Sequence, residues 1–386
     1  MNRRDFLIRM GMLYSMTVLP AFAETVSEKK RLIVIFLRGA VDGLNVIVPT
    51  FEQEYYDNRP GIAIRNPIAL DQGFGANPAL SPLMNMWEDG ELSFHHACGL
   101  MKPNRSHFEA QALIERGVSI ANQSSNGGWM GRLGTILPND GDVERMLSIT
   151  PSIPTILEGA PHVATFELGK RALNTTPMDR LNVERAFETL YSGSDRLSIY
   201  FRDALKARKI LIQNLQKDME LSQVDSVAPA GFATDAAMLG RMMHNDPKIQ
   251  SVFLSIGGWD THINQGGDEG PLSKKLSDLA TGLKALKEGL GDSFKDTLIL
   301  TLSEFGRTVR ENGTGGTDHG HGNVVWMMGG GVNGKRVNGV WPGLAEENLS
   351  EGRDLAVTED YRQVLGKALQ SHFNLNKSDL GIIFPG

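Results

Sequence analysis

Two short apolar runs constrain the fold more than any other feature of this chain. Arg31–Phe36 (RLIVIF) and Thr297–Leu302 (TLILTL) are continuous rather than alternating, which is the pattern of strands buried on both faces. A sheet of such strands needs helices above and below it. Ile249–Ile256 reads as another strand, and between it and the second run Leu272, Leu276, Leu279, Leu283, Leu286 and Leu290 recur at three- and four-residue steps. That spacing predicts a helix with a narrow apolar stripe. Leu92–Ala97 and Val324–Met328 read as further strands. A helix is expected from near Ser106, with Phe108, Ala112 and Leu113 facing inward, and another near the C-terminus, capped by Thr358 and burying Tyr361, Val364, Leu365 and Leu369. Strand–helix alternation of this kind predicts an α/β fold with a mostly parallel sheet flanked by helices.

The region between these signals is less regular. Residues 119–195 are richer in Pro, Asn and Ser, and suggest a loop-rich cap inserted at roughly 119–230. Within it Leu197–Met219 reads as a charged helix burying Tyr200, Phe201, Leu205 and Leu211, followed by a linker over Ser222–Gly231.

The first residues read as a targeting segment. Arg3-Arg4-Asp5-Phe6-Leu7 pairs two arginines before an apolar stretch, Leu7–Pro20, that is too short and too interrupted to span a bilayer. Ala21-Phe22-Ala23 supplies a small–x–small cleavage pattern. The set resembles a twin-arginine signal peptide over residues 1–23, leaving 24–386 as the mature α/β domain. This predicts export to the periplasm or cell surface, with the twin-arginine translocon as a transient partner and no permanent membrane span. The net charge of −6 gives no reason to expect nucleic acid as a partner. A single cysteine, Cys98, excludes an internal disulfide, consistent with folding in a reducing compartment before export.

The polar residues that follow the apolar runs carry the chemistry. In open α/β sheets ligands bind at the carboxyl ends of strands, and acids and histidines gather there. Asp42 follows the first strand, Asp260 and His262 follow the strand ending at Ile256, and Glu304 follows TLILTL. Asp318-His319-Gly320-His321 precedes Val324–Met328. Such a mixed carboxylate and imidazole set suits a divalent ion: Zn, Mn, Ca or Mg. Positions two apart in an extended segment point the same way, which favours joint use of Asp260 and His262. Glu304 could instead pair with Arg307. His95 and His96 read as core residues or supports. Ser106 stands at a helix start and is a candidate nucleophile, although with Glu109 three residues on it also reads as a capping box. Arg105 and Arg307 are candidate oxyanion clamps.

Taken in order, these residues resemble the alkaline phosphatase superfamily, which includes sulfatases. The closest likeness is to a twin-arginine-exported family of unknown function, domain of unknown function 1501, whose motifs GxxDGLN, NxSHF, GGWDTHxxQ, SEFGRT and GTDHGxG are all readable here. The resemblance implies an alkaline-phosphatase-like three-layer sandwich and a metal-dependent hydrolase of a phosphate or sulfate ester, with a small molecule or glycan ester as substrate. It implies Asp42, Asp260, His262, Glu304, His319 and His321 as metal ligands, Asp318 as a ligand or an orienting group, and Ser106 as nucleophile. The sequence departs from the superfamily at Glu304-Phe305, where phosphatases carry Asp-His. The alternative function is therefore a non-catalytic metal- or glycan-binding accessory that retained the fold.

Overall fold

The first apolar run forms strand β1 (Arg31–Leu37), every residue of which is buried. Alternate side chains of a strand leave by opposite faces, and here they divide the molecule into two cores. Leu32, Val34 and Phe36 belong to one hydrophobic cluster; Ile33, Ile35 and Leu37 belong to the other. The computed structural model describes residues 30–119, 127–137, 146–150, 152–165, 180–195, 198–199, 202 and 231–386. The segment read as a signal peptide lies outside them, as do most of the helix expected over 197–219 and all of the linker except Gly231. No helix among the described residues is long and apolar enough to cross a membrane.

Eight more strands join β1 in one sheet: β2 (Leu92–Gly99), β3 (Met146–Ile149), β4 (Val163–Thr165), β5 (Ser251–Ile256), β6 (Thr297–Ser303), β7 (Asn323–Met328), β8 (Arg336–Asn338) and β9 (Glu359–Asp360). Their order is β8-β2-β7-β6-β1-β5-β3-β4, with β9 also pairing β2. Both neighbours of β1 run parallel to it, and β7 is antiparallel to β6 and β2. The remaining pairs, β8 and β9 with β2, β3 with β4 and β3 with β5, are parallel. The fold is therefore α/β with a mostly parallel sheet, as the apolar runs predict. Within the region read as a cap, β3 and β4 extend this sheet, and Leu181–Leu190 forms a helix.

Helices cover both faces. On one side lie α1 (His107–Arg116), α2 (Trp129–Ile136) and α5 (Tyr361–Phe373), contributing Leu113, Ile114, Trp129, Leu133, Leu365 and Leu369. On the other lie α3 (Phe232–Asn245) and α4 (Pro271–Leu290). All six leucines of the α4 stripe are buried against that second core. At about 2 kcal/mol for each fully buried leucine, this stripe fixes the helix to the sheet far more strongly than its intrinsic propensity could.

Two expectations about helix ends are corrected. Phe108 is 88% exposed, because α1 begins at His107 and turns Ala110, Leu113 and Ile114 inward instead. Asp360, not Thr358, caps α5: its carboxylate accepts the Arg362 N–H at 2.9 Å. Thr358 Oγ1 donates to the carbonyl oxygen of Val340 at 2.8 Å.

Candidate metal centre

The direction of β7 explains how the site is assembled. It runs opposite to its neighbours, so the segment entering it lies at the edge where β1, β5 and β6 end. Residues 38–42, 257–265, 303–308 and 312–322 therefore meet over one edge of the sheet, and the turn entering α1 meets them from β2. Close approach at two glycines lets the loops touch. Gly39 sits at φ +116°, and a Cβ there would stand 2.8 Å from the backbone nitrogen of Asp260. A Cβ on Gly320 would stand 2.3 Å from the backbone carbon of Arg307.

Three imidazoles converge at this edge. His319 Nε2 lies 3.0 Å from His107 Nε2 and 3.0 Å from His262 Nε2. The Asp260 carboxylate completes the group, with Oδ1 3.0 Å from His262 Nε2 and 3.3 Å from His319 Nε2, and Oδ2 3.5 Å from His107 Nε2. His107, Asp260 and His319 offer ligand atoms that all lie within 4.8 Å of one another.

The outer nitrogen of each ring is already committed. His319 Nδ1 is 2.9 Å from the carbonyl oxygen of Arg105; a carbonyl can only accept, so Nδ1 carries the proton. His107 Nδ1 donates to Glu304 Oε1 at 2.7 Å, and His262 Nδ1 donates to Asp318 Oδ1 at 3.2 Å. With the outer nitrogen carrying its proton, the Nε2 lone pair of the ring is turned to the centre. Lone pairs facing one another and a carboxylate at these distances repel unless a cation lies among them.

A proton is a poor candidate for that cation at His319. Burial lowers the pKa of this imidazole and neighbouring His107 and Arg307 lower it further, outweighing the Arg105 carbonyl and Asp260. A divalent ion fits the spacing. Metal–nitrogen bonds of about 2.0–2.1 Å separate adjacent ligand atoms by roughly 2.9–3.4 Å, close to the 3.0–3.5 Å separations among His107, Asp260 and His319; His262 flanks this trio, 3.0 Å from His319 Nε2 and from Asp260 Oδ1, without belonging to the set that lies within 4.8 Å. It also fits the charge. Asp260, Glu304 and Asp318 are carboxylates bonded to or within the group, while the Arg307 guanidinium is the cation that reaches Asp260.

These supporting groups are themselves fixed. The Glu304 side chain is fully buried; Oε1 accepts from the Gly39 N–H at 2.9 Å, Gln111 Nε2 at 2.8 Å and His107, while Oε2 accepts from Ser303 Oγ at 2.9 Å. Burial would raise this carboxyl, but the bonds from Gln111, its own backbone, His107 and Gly39 hold it below the usual range. Asp260 is likewise pushed up by partial burial and pulled further down by Arg307, His262 and His107. For Asp318 the bond from Asn312 is the main cause of a lowered pKa. All three carboxylates are thus ionised at neutral pH.

The positions of the other expected site residues differ from a common ligand set. Asp42 is not brought to the imidazoles: its buried carboxylate accepts from Arg59 Nη1 at 2.6 Å, Arg59 Nη2 at 3.1 Å and Gln265 Nε2 at 2.6 Å. His321 turns away, with Nε2 donating to the carbonyl oxygen of Leu100 at 2.6 Å. Glu304 and Asp318 stand one step out, each holding a histidine. Arg307 is buried and spends its donors on the carbonyl oxygens of Ala40, Thr317, Gly39 and Trp259 and on Asp260, so it staples the loops and holds Asp260. The Arg105 guanidinium points to Asp354 and Glu351. Ser106 is exposed and caps α1 through a long 3.5 Å bond from the Glu109 N–H.

The residue that sequence reasoning missed is His107. The cap signature of neighbouring Ser106 dominates that stretch. The usable signal was its place as the first residue of a helix entered from the carboxyl end of a buried strand, the same kind of position that singled out Asp260 and Glu304.

Comparison with known proteins gives a family and a set of distant structures. Residues 103–381 match the family described as "Protein of unknown function (DUF1501)", so the chain belongs to that family. No curated protein matches the chain. Among solved structures, Ps i-CgsB in complex with k-i-k-neocarrahexaose is similar at a TM-score of 0.38 and 10% identity, over 92% of this chain and 74% of that one. A protein in the alkaline phosphatase superfamily from Vibrio parahaemolyticus gives 0.35 and 10%, over 81% and 63%. The phosphonate monoester hydrolase of Agrobacterium radiobacter gives 0.31 and 11%, over 81% and 70%. Likeness at this level carries no chemistry with it.

Proposed function

We propose that this member of the DUF1501 family is an exported, metal-dependent hydrolase of a phosphate or sulfate ester. The observation that carries the reading is the convergence of three imidazole Nε2 atoms and the Asp260 carboxylate, with every outer ring nitrogen bonded to a fixed acceptor. His107, Asp260 and His319 hold the ion, and His262, 3.0 Å from both Asp260 and His319, closes on it as a fourth ligand. Glu304, Asp318 and the Arg105 carbonyl orient the rings, an arrangement that raises ligand basicity and fixes the tautomer.

Three nitrogen donors and one carboxylate favour Zn or a similar transition ion over Ca or Mg, which select oxygen donors. Bound there, such an ion supplies Lewis-acid polarisation of an ester oxygen and offsets charge developing on it. The chain's own residues supply the rest. Arg307 keeps Asp260 ionised and in place. The exposed Ser106 hydroxyl, one residue before His107, is the nucleophile of this proposal. Its oxygen bonds to phosphorus or sulfur while the bond to the departing alcohol breaks, and the serine proton passes to the alcohol as it leaves. Water then attacks the same atom and returns the serine.

The paired arginines and the Ala21–Ala23 cleavage pattern support export through the twin-arginine route. A substrate outside the cytoplasm, a small molecule or a glycan ester, is consistent with that location.

The test is turnover of phosphate monoesters, phosphate diesters and sulfate esters by purified mature protein, with and without a chelator. We expect metal-dependent activity that Ser106→Ala and His107→Ala each abolish. Activity retained in His107→Ala, or unaffected by the chelator, contradicts the metal reading. Activity retained in Ser106→Ala contradicts the serine step alone.

A further inference from the structure

Asp42, expected as a ligand from the sequence, is linked to the centre by a chain of buried hydrogen bonds. Its Oδ2 accepts from Gln265 Nε2 at 2.6 Å. The other end of the same amide, Oε1, accepts from Thr261 Oγ1 at 2.7 Å and from Thr317 Oγ1 at 2.9 Å. Thr261 stands between Asp260 and His262; Thr317 immediately precedes Asp318 and lies two residues from His319. The amide therefore ties together the two loops that carry most of the converging groups.

The orientation of this amide is forced. Asp42 can only accept, so it must face the amide nitrogen, and the oxygen is left for both threonine hydroxyls. Asp42 is immobile in turn, because Arg59 grips both its oxygens. The remaining Arg59 donors are taken by Asn45 Oδ1 at 2.6 Å, the Val309 carbonyl at 2.8 Å and the Thr308 carbonyl at 2.8 Å. Gln265, Asp42, Arg59 and Thr317 are fully buried, and Thr261 is 7% exposed, so no water competes for these bonds. Backbone bonds from Thr317 N–H to the Thr261 carbonyl at 3.1 Å and from Gln265 N–H to the Gly315 carbonyl at 2.8 Å run alongside.

We infer that Gln265, anchored by the Asp42–Arg59 pair, is a positioning residue that sets the separation of the Asp260–His262 and Asp318–His319 loops and thereby tunes the metal site. The inference rests on the metal reading above. It assigns Asp42 a role through Gln265 and not through contact with the ion.

The experiment uses Co2+ as the probe on the mature chain, following affinity by competition with a chelator and geometry by the visible d–d absorption of the bound ion. Gln265→Met keeps the length but loses every bond of the amide, and Thr261→Val removes one hydroxyl at constant shape. Each is expected to weaken Co2+ binding by about 10- to 100-fold, the range for groups that orient ligands, and to shift the absorption bands of the loaded protein. Thr261→Ser, which keeps the hydroxyl, is expected to restore both. A purely structural role would lower thermal stability and leave the spectrum of the loaded protein unchanged. Unchanged affinity and bands in Thr261→Val overturn the inference even if Gln265→Met does not fold. Wild-type protein that takes up no Co2+ overturns the metal reading and this inference together.

Discussion

Replacing Glu304 by glutamine separates the charge of that side chain from its shape. The carboxylate accepts four bonds, from Gly39 N–H, Gln111, His107 and Ser303. In Glu304→Gln the amide oxygen can keep the three partners of Oε1, and the amide nitrogen can donate to the Ser303 oxygen. Few donors are orphaned. What is lost is the ionic part of the bond to His107 Nδ1. Bonds to charged groups contribute about 1.5–3 kcal/mol against about 1 kcal/mol for neutral ones, so the ring loses roughly 1–2 kcal/mol of orientation and basicity. That corresponds to a drop in metal affinity of about 10-fold, at the lower end of the range for such partners. Glu304→Ala, by contrast, leaves the Gly39 N–H, Gln111 and His107 without this acceptor, while Ser303 keeps the Leu37 carbonyl, and is expected to cost about 3 kcal/mol or more of stability. The assay is chelator-competed Zn2+ titration beside a chemical denaturation curve of the metal-free protein. Full metal affinity in a folded Glu304→Gln protein would refute the claim that Glu304 acts on the ion through His107.

Two further predictions follow from buried charge. Arg307→Ala removes a buried guanidinium that binds Asp260 and four carbonyl oxygens, and should destabilise the chain by about 3–5 kcal/mol in denaturant unfolding; Arg307→Lys, lacking the planar fork, should recover only part of that loss. His96 is fully enclosed, with Nε2 donating to the Ile47 carbonyl at 2.9 Å and Nδ1 accepting from the Ala97 N–H at 3.0 Å, and burial lowers its pKa to about 4. Its neutral form is favoured in the folded state, so its contribution is complete above the unfolded value of about 6.5 and is lost as pH falls toward 4. The loss should reach roughly 3 kcal/mol at the low end, and His96→Gln should flatten that limb of a plot of melting temperature against pH.

The sequence made the frame legible and the site only partly so. β1, β5, β6 and α4 announce themselves because continuous apolar runs and a leucine stripe have few other uses, and the structure places them within a residue or two. Asp260, His262 and His319 were legible because acids and histidines at strand ends have a restricted set of roles. Asp42 was misread for a physical reason: its partner Arg59 lies in a stretch without periodic signal, and a strand-end aspartate looks the same whether an arginine or an ion faces it. His319 and His321 are two residues apart and should share a face in a strand, but the chain packs on the Arg307 backbone at Gly320 and bends at His321, and only His319 reaches the centre. Glu304 shows the converse. The sequence marked it as important, and it is the tertiary contact with His107 that makes it a support instead of a ligand.

The central claim is that the three imidazoles and Asp260 converge because an ion belongs among them. Equilibrium dialysis of the folded, metal-stripped protein against Zn2+, read by elemental analysis, tests it directly. Tight uptake of a single equivalent is expected, lost in both His319→Ala and Asp260→Ala while His321→Ala retains it. No uptake by the wild-type chain, or equal uptake by all three variants, would contradict it.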